Sequence, residues 1–405
     1  MKILSINSGS SSLKFSLFDM KDESIIASGL FERIGIEGSN YCIKYNGEKI
    51  SQELELNNHT DAVSILLEKL VDLEIIKSLE EIDGIGHRVV HGKDKFSESV
   101  LVNDEVMEGL RSIEEFAPLH NPANDLGIMA FKKVLPNVPN AVVFDTAFHQ
   151  TMSAVEYLYP VPYKWYKEYG VRKYGFHGTS HRYITDTVKD ILGTDKFKLI
   201  SCHIGNGGSL CAVKDMKCVD TTMGFTPLAG IMMGTRSGDI DPSIIPYVME
   251  KEGKNIGEIL DDLNKNSGLV GMSEFSSDMR DIIGKCAEDD EKALIARDKY
   301  VRRVVDYIAQ YYVLLGGADA IVFTAGVGEN STPIRREICE KLACLGVKID
   351  LDKNNMHGEI MKISSDDSAI DVYVIPTNEE LMIAQDTYNI IKNWEITKDF
   401  NFFQN

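Results

Sequence analysis

The sequence predicts a duplicated α/β protein, and three observations carry that expectation. Apolar runs rich in β-branched residues, AVVFDTAF at 141–148, KLISCHIG at 198–205 and DAIVFTAG at 319–326, alternate with stretches of helical period. The opening ILSINSGSSSLKFSLFD is echoed near mid-chain by LISCHIGNGGSLCAVKD, with Leu13 matching Leu210: strand, small-residue turn, Ser-Leu, second strand, Asp. A duplicated domain with one glycine-rich hairpin per half is the economical explanation. Finally, three small-residue turns, NSGSSS, GNGGS and TAGVGENS, each follow an apolar strand.

The bulk properties agree. A chain of 405 residues exceeds one ordinary core, which predicts two domains. With 43% hydrophobic and 26% charged residues and no apolar run near membrane-helix length, the composition is that of a soluble globular protein. MKILSI leads directly into strand-like sequence without a signal-peptide pattern, so the expected location is the cytoplasm. A net charge of −19 argues against nucleic acid or an anionic membrane as partner, and any anionic ligand needs a local basic island. The seven cysteines are odd in number, scattered and without a CxxC pair, so they are expected to be reduced structural thiols.

Taken in chain order, the first element is a hairpin whose turn after Asn7 gives up side-chain bulk, as a turn does when something approaches its backbone. Asn121-Pro122, Asp241-Pro242 and Thr332-Pro333 each mark a helix start by placing a polar residue before a proline. In YVRRVVDYIAQYY, Val301, Val304, Val305 and Ile308 fall on one helical face. TAGVGENS reads as a glycine turn between a strand and the helix TPIRREICEKL, an arrangement that suits phosphate or a nucleotide although it is neither a Walker loop nor a GxGxxG fingerprint.

Four polar constellations could carry chemistry: GIGHRVVHGKDKF at 84–96, YGFHGTSH at 174–181, MGTRSGDIDP at 233–242 and PTNEE at 376–380. Arg236 stands among glycines with little to pack against, which favours a ligand over a surface ion pair. Arg88 suits a buried pair with Asp145 or another acid as well as a ligand contact. His177 fits a hydrogen-bonded core position as well as a catalytic one. No HxxxH or HExxH spacing supports a histidine metal site.

NSGSSSLKF, HRVVHG, APLHNPAN, FDTAFH, YGFHGTSH, HIGNGGS, MGTRSGDIDP, SSDMRDI, TAGVGENS and PTNEE, in this order along nearly the whole chain, resemble the acetate kinase family, within the superfamily of sugar kinases, actin and the heat-shock chaperone ATPase. The resemblance implies duplicated ribonuclease-H-like domains with a nucleotide cleft between them: residues 1–147 plus about 383–405, and 148–382. It also implies a cytoplasmic homodimer that transfers the ATP γ-phosphoryl group reversibly to acetate, giving acetyl phosphate and ADP, with magnesium, or alternatively manganese, as the ion. The acceptor carboxylate, with a pKa of about 4 to 5, is already ionised and needs no general base. The obstacle is repulsion between anions, so positioning and charge neutralisation carry the reaction.

Residue by residue, Arg88 and Arg236 resemble the two essential arginines, His177 the histidine that stabilises the phosphoryl in transit, and Asp145 an essential aspartate that orients an arginine or a metal-bound water. His120 and His203 resemble lesser phosphate contacts. Ser12, Lys14, Asn206 and Gly207 match phosphate-side positions, whereas Asp278, Met279, Arg280, Gly326, Gly328 and Asn330 match the adenosine pocket. Glu379 matches the metal-site acid, with Asn7 near it. Val90, Leu119, Phe176 and Pro227 match the surroundings of the acetate methyl group. Lys93 and Ala229 depart from the pattern, standing where glycine and glutamate are expected. The competing readings are a kinase for propionate or another short-chain fatty acid, a sugar kinase with Asp145 as general base, and a non-catalytic nucleotide switch.

Overall fold

The computed structural model describes residues 1–118, 120–356, 358 and 360–402. The chain divides into two compact units, Met1–Phe148 with Asn378–Asn405, and His149–Thr377.

Among the described residues the first unit holds an eight-stranded sheet. Its strands are β1 (Lys2–Gly9), β2 (Ser12–Asp19), β3 (Ser24–Glu32), β4 (Asn40–Tyr45), β5 (Glu48–Glu53), β6 (Ile82–Val89), β7 (Val100–Leu101) and β8 (Asn140–Phe144), in the order β5-β4-β3-β2-β1-β6-β8-β7. β1 and β2 form the expected hairpin, with Gly9 opposite Ser12. β6 and β8 add in parallel on the other side of β1. β8, NAVVF, is buried at every position, because an interior parallel strand is covered on both faces and shows no alternation. β5, EKISQE, lies at the outer edge and carries charges that discourage further pairing.

Two helices explain much of this unit's sequence. In His59–Asp72 the Asn58 side chain accepts from Asp61 N, and Ala62, Val63, Leu66, Leu67 and Leu70 present one buried face. Glu379–Phe402 packs closely on β6: a Cβ at Gly84 would fall 2.2 Å from Ile391 Cδ1, and one at Gly86 2.2 Å from Thr387 Oγ1. The glycines of GIGHR are therefore required by helix contact.

The sheet of the second unit comprises β9 (Lys198–Ile204), β10 (Gly208–Lys214), β11 (Lys217–Thr221), β12 (Ala320–Thr324), β13 (Met361–Lys362) and β14 (Asp371–Val374), ordered β11-β10-β9-β12-β14-β13. The run β3-β2-β1-β6-β8 recurs as β11-β10-β9-β12-β14 with the same senses: two antiparallel pairings, then two parallel ones. Each sheet then closes with an antiparallel edge strand, β7 on β8 and β13 on β14. The echo between the two halves is thus a topological repeat, the duplicated ribonuclease-H-like arrangement. Helix Glu291–Leu315, capped by Asp290 and ended by Gly316 at φ +66°, buries Val301, Val304 and Ile308 as expected. Val305 sits at the margin of that face, half-buried.

Local starts differ in detail. Asn121 and Thr332 are first helical residues, preceded by His120 and Ser331 at the cap positions. The Asp241 side chain accepts from Ser243 N in a turn, and the helix begins only at Ile244. TAGVGENS is not an open turn, since Ala325–Asn330 is itself a short helix, entered through Ala325 at φ +65°. No helix among the described residues is long and apolar enough to cross a membrane.

Candidate active site

In the first unit the functional residues gather at the ends of β1, β6 and β8. Arg88, next to last in β6, donates through Nε to Asp145 Oδ1 at 2.9 Å and through Nη2 to Oδ2 at 2.6 Å, a bidentate pair. Asp145 follows β8 and is 1% exposed. Asp145 above all, then Glu379 and Glu380, hold the Arg88 guanidinium above its ordinary range despite burial. Of the alternatives left open for Arg88, the buried pair with Asp145 is present, and the side chain remains 23% exposed.

Glu379 opens the last helix of this unit, and its Oε1 is buried without a hydrogen bond. Burial pushes its carboxyl up to about 7, partly opposed by Arg88 and reinforced by Asp145 and Glu380. A buried carboxylate oxygen with no hydrogen-bond partner among the described residues has a lone pair to offer, so the chemistry of the position fits an oxygen-ligated divalent ion. Its neighbour Glu380 is ion-paired with Lys14 of β2, which stands opposite Asn7 of β1.

Two asparagines fix this region: Asn121, which the sequence marks only as a helix start, and Asn124, which it does not single out. Asn124 accepts from Val90 N at 3.2 Å and donates to Ser8 O at 2.8 Å, joining the ends of β1 and β6. Asn121 accepts from His91 N at 3.3 Å and donates to His91 O at 3.0 Å. Their three-residue spacing at a helix start, NPAN, was the available signal. Lys93 has φ +54°, the left-handed region where glycine is free of strain, and its Nζ lies 4.4 Å from the Phe116 ring centroid. That accounts for glycine as the expected residue there. Val90 is half-buried, His120 is exposed, and Leu119 lies outside the described residues.

In the second unit, His177 sits at φ +56° immediately before helix Gly178–Leu192. Ser209 Oγ lies 2.9 Å from His177 Nδ1 and 2.8 Å from His181 Nε2, and His181 Nδ1 meets Ser201 Oγ at 2.9 Å. Burial, helped by His149 and His203, keeps His181 well below the usual histidine pKa, so it is a neutral prop in this chain of hydroxyls and imidazoles. The rings of His177 and His203 stack at 4.1 Å, and Ser180 Oγ holds His203 Nδ1 at 2.8 Å.

Arg236 lies beside this pair. A Cβ on Gly207 would fall 3.5 Å from Arg236 Nη1 and 3.9 Å from His177 Nε2, so Gly207 keeps that space open. Arg236 donates to Pro227 O at 3.3 Å and contacts Met233 Sδ at 3.7 Å, with no ion pair among the described residues. Burial lowers its guanidinium below the ordinary value, and no acid opposes the shift. Ala229 brings no carboxylate to it. The loop that carries Arg236 is tied to the β9–β10 turn by Gly234 N donating to Asn206 O at 2.8 Å; a side chain at Gly234 would strike Asn206 Oδ1.

The residues expected around adenosine are held in other ways. Asp278 caps helix Met279–Cys286, and Arg280 folds back onto it, which draws its carboxyl down to about 2. Met279 is 4% exposed and packs inward. Gly326 is exposed with open space at its missing Cβ, Asn330 donates to Gly326 O at 2.9 Å, and Gly328 is buried against Ile204 and Phe323. Sequence reasoning missed what fixes this segment. Glu329 Oε1 accepts from Ala325 N at 2.7 Å and Thr377 N at 3.1 Å, while buried Arg335 donates to the carbonyls of Gly328 and Glu329. Phe176, 3% exposed, and Pro227 lie in this unit; Ser12 opens β2 in the other.

A family model described as the acetokinase family matches residues 2–385. The chain is 53% identical over 393 residues to an acetate kinase of Bacillus subtilis (strain 168), covering 96% of this chain and all of that one. Among solved structures it is similar to the acetate kinase of Porphyromonas gingivalis, with TM-score 0.93, 44% identity, and 96% and 99% of the two chains covered. A propionate kinase from Francisella tularensis subsp. tularensis SCHU S4 matches with TM-score 0.91, 43% identity and the same coverage. With a repeated topology, two differently held arginines and relatives matched end to end, the chain belongs to the acetokinase family.

Proposed function

We propose that this chain phosphorylates acetate by direct transfer of the ATP γ-phosphoryl group, without a general base and without a phosphorylated enzyme intermediate. The observation that carries the reading is Arg236: a partly desolvated guanidinium with no acid partner among the described residues, beside His177 and over a glycine that keeps the space open. Such a group calls for an external anion, and a planar fork suits a transferring phosphoryl group. Arg88 is held in place by Asp145 and presents its remaining donors to the acetate carboxylate. Asp145 therefore orients an arginine, and its bidentate engagement leaves it poorly suited to be the base a sugar hydroxyl requires.

Ser209 fixes the ring of His177, which donates to the phosphoryl oxygens, and His203 supports it from behind by stacking. Ser12, Lys14, Asn206 and Gly207 face the polyphosphate; Asp278, Met279, Arg280, Gly326, Gly328 and Asn330 receive adenosine. Glu379 and Asn7 hold magnesium, or manganese in its place. When bound, the ion neutralises phosphate charge. Val90, Leu119, Phe176 and Pro227 take the methyl group. The working protein is a cytoplasmic homodimer.

Propionate is the second reading, favoured by the likeness to the Francisella propionate kinase. A methylene adds only about 0.8 kcal/mol of apolar burial, so preference must come from exclusion, and acetate should win by roughly one to two orders of magnitude in kcat/KM. Trapping the acyl phosphate with hydroxylamine, using ATP, magnesium and either acid, decides between them. Acetyl hydroxamate formed faster supports the first reading, a propionate excess supports the second, and no hydroxamate with either acid refutes both. Val90→Ala should shift the ratio toward propionate; an unchanged ratio removes Val90 from the acceptor pocket.

A further inference from the structure

A cluster in the second unit lies outside every role assigned above. Cys211 of β10 and Cys218 of β11 bring their sulfurs to 3.4 Å, and Cys218 Sγ lies 3.2 Å from Nδ1 of His149, on the one-turn segment Ala147–Thr151. The three donor atoms all fall within 4.8 Å of one another, and all three residues are fully buried. His149 Nε2 stands 2.9 Å from the carbonyl oxygen of Phe176. A carbonyl oxygen only accepts, so Nε2 carries the proton and Nδ1 directs a lone pair at the sulfurs. A backbone carbonyl on the far nitrogen is also how metal-bound imidazoles are oriented.

We propose that His149, Cys211 and Cys218 bind a divalent d10 cation of the zinc class. Both thiols lose their protons on binding, and two thiolates, a neutral imidazole and a dication sum to zero, so the buried site carries no net charge. Zinc–sulfur bonds of about 2.3 Å at tetrahedral angles put two sulfurs roughly 3.8 Å apart, so the pair has to part by only a few tenths of an ångström. A disulfide fits less well. It would need an oxidant and would have to draw the sulfurs together from 3.4 Å to about 2.05 Å. The ion would staple His149 to the β10–β11 hairpin and, through the carbonyl of Phe176, to the turn before His177. The sequence hides the site because CAVKDMKC spans a hairpin and its histidine comes from a distant segment.

Titrating the reduced full chain with cobalt(II) should give a sulfur-to-metal charge-transfer band that saturates at one equivalent and is displaced by zinc(II). The band should vanish in Cys211→Ser and Cys218→Ser and persist in Cys344→Ser, which removes the exposed thiol. Absence of the band, or its survival in the Cys211→Ser/Cys218→Ser double variant, overturns the proposal. A measurement on the unaltered chain guards against misfolded variants. Zinc(II) should slow alkylation of Cys211 and Cys218 by roughly tenfold or more, by stabilising the closed form, and leave Cys42 and Cys286 unchanged. Equal rates with and without zinc would also overturn it.

Discussion

The two arginines of the two units stand in opposite states. Arg88 is clamped by a buried aspartate that holds its charge firmly, whereas Arg236 is partly stripped of water and, among the described residues, donates to a carbonyl oxygen and a thioether and to no acid. Accordingly Asp145 raises the one guanidinium and burial lowers the other. The same β topology underlies both, so the difference comes from the loops: Asp145 follows a buried parallel strand, while Arg236 rides a glycine-rich loop pinned to the β9–β10 turn. A satisfied arginine is a preset tool, and an unsatisfied one is a demand for ligand.

The contrast is broken most forcefully at Asp145. Asp145→Asn leaves Arg88 without its anion and should cost about 3 kcal/mol of folding stability, the lower end for a broken buried pair because the Arg88 side chain remains 23% exposed. Arg236→Ala should cost under about 1 kcal/mol, since no ion pair is lost. Urea unfolding of both variants checks the pair of values; equal losses would erase the distinction.

Glu379 predicts a pH effect in the same unit. Its carboxyl, ordinarily near 4.5, keeps its proton up to about 7 in the folded chain, so between those values the folded state binds more protons than the unfolded one. Stability of chelator-treated protein should therefore fall as pH rises from 4.5 to 7 on account of this group. Magnesium should restore stability mainly at the upper end. Glu379→Gln should flatten both effects in unfolding curves taken across that window, and an unchanged magnesium response would leave Glu379 a purely structural acid.

In the second unit, Ser209→Ala removes the hydroxyl shared by His177 and His181 and should cost about 1–2 kcal/mol of stability by deleting two hydrogen bonds, the one to His181 fully buried. Turnover should fall more than KM for ATP rises, which steady-state kinetics will show. The smallest effect belongs to Lys93→Gly. Relief of its left-handed backbone, less the loss of the Phe116 contact, should raise stability by about 0.5–1 kcal/mol. A lowered unfolding midpoint would mean that the ring contact outweighs the strain.

Much of the fold was legible because buried parallel strands are built on uninterrupted apolar runs, AVVF in β8 and AIVF in β12, and the hairpin echo marks the repeat. The helical nature of AGVGEN was not, because a glycine-rich run after a strand has no periodicity to show, and its helix depends on Glu329 capping Ala325 and on Arg335 gripping the last carbonyls. Reactive groups such as Arg88 and His177 stood out within motifs. Their supports did not: Asn124, Ser209 and His149 act through contacts between segments far apart in sequence.

Whether Arg236 meets the transferring phosphoryl group through its fork is decided by Arg236→Lys in the hydroxylamine-trapped assay with ATP, magnesium and acetate. Losing a donor aimed at developing charge costs about 3 kcal/mol, so turnover should fall roughly a hundredfold or more, close to the loss in Arg236→Ala. Near-normal turnover in the lysine variant would mean that a point charge alone suffices and that the fork plays no part.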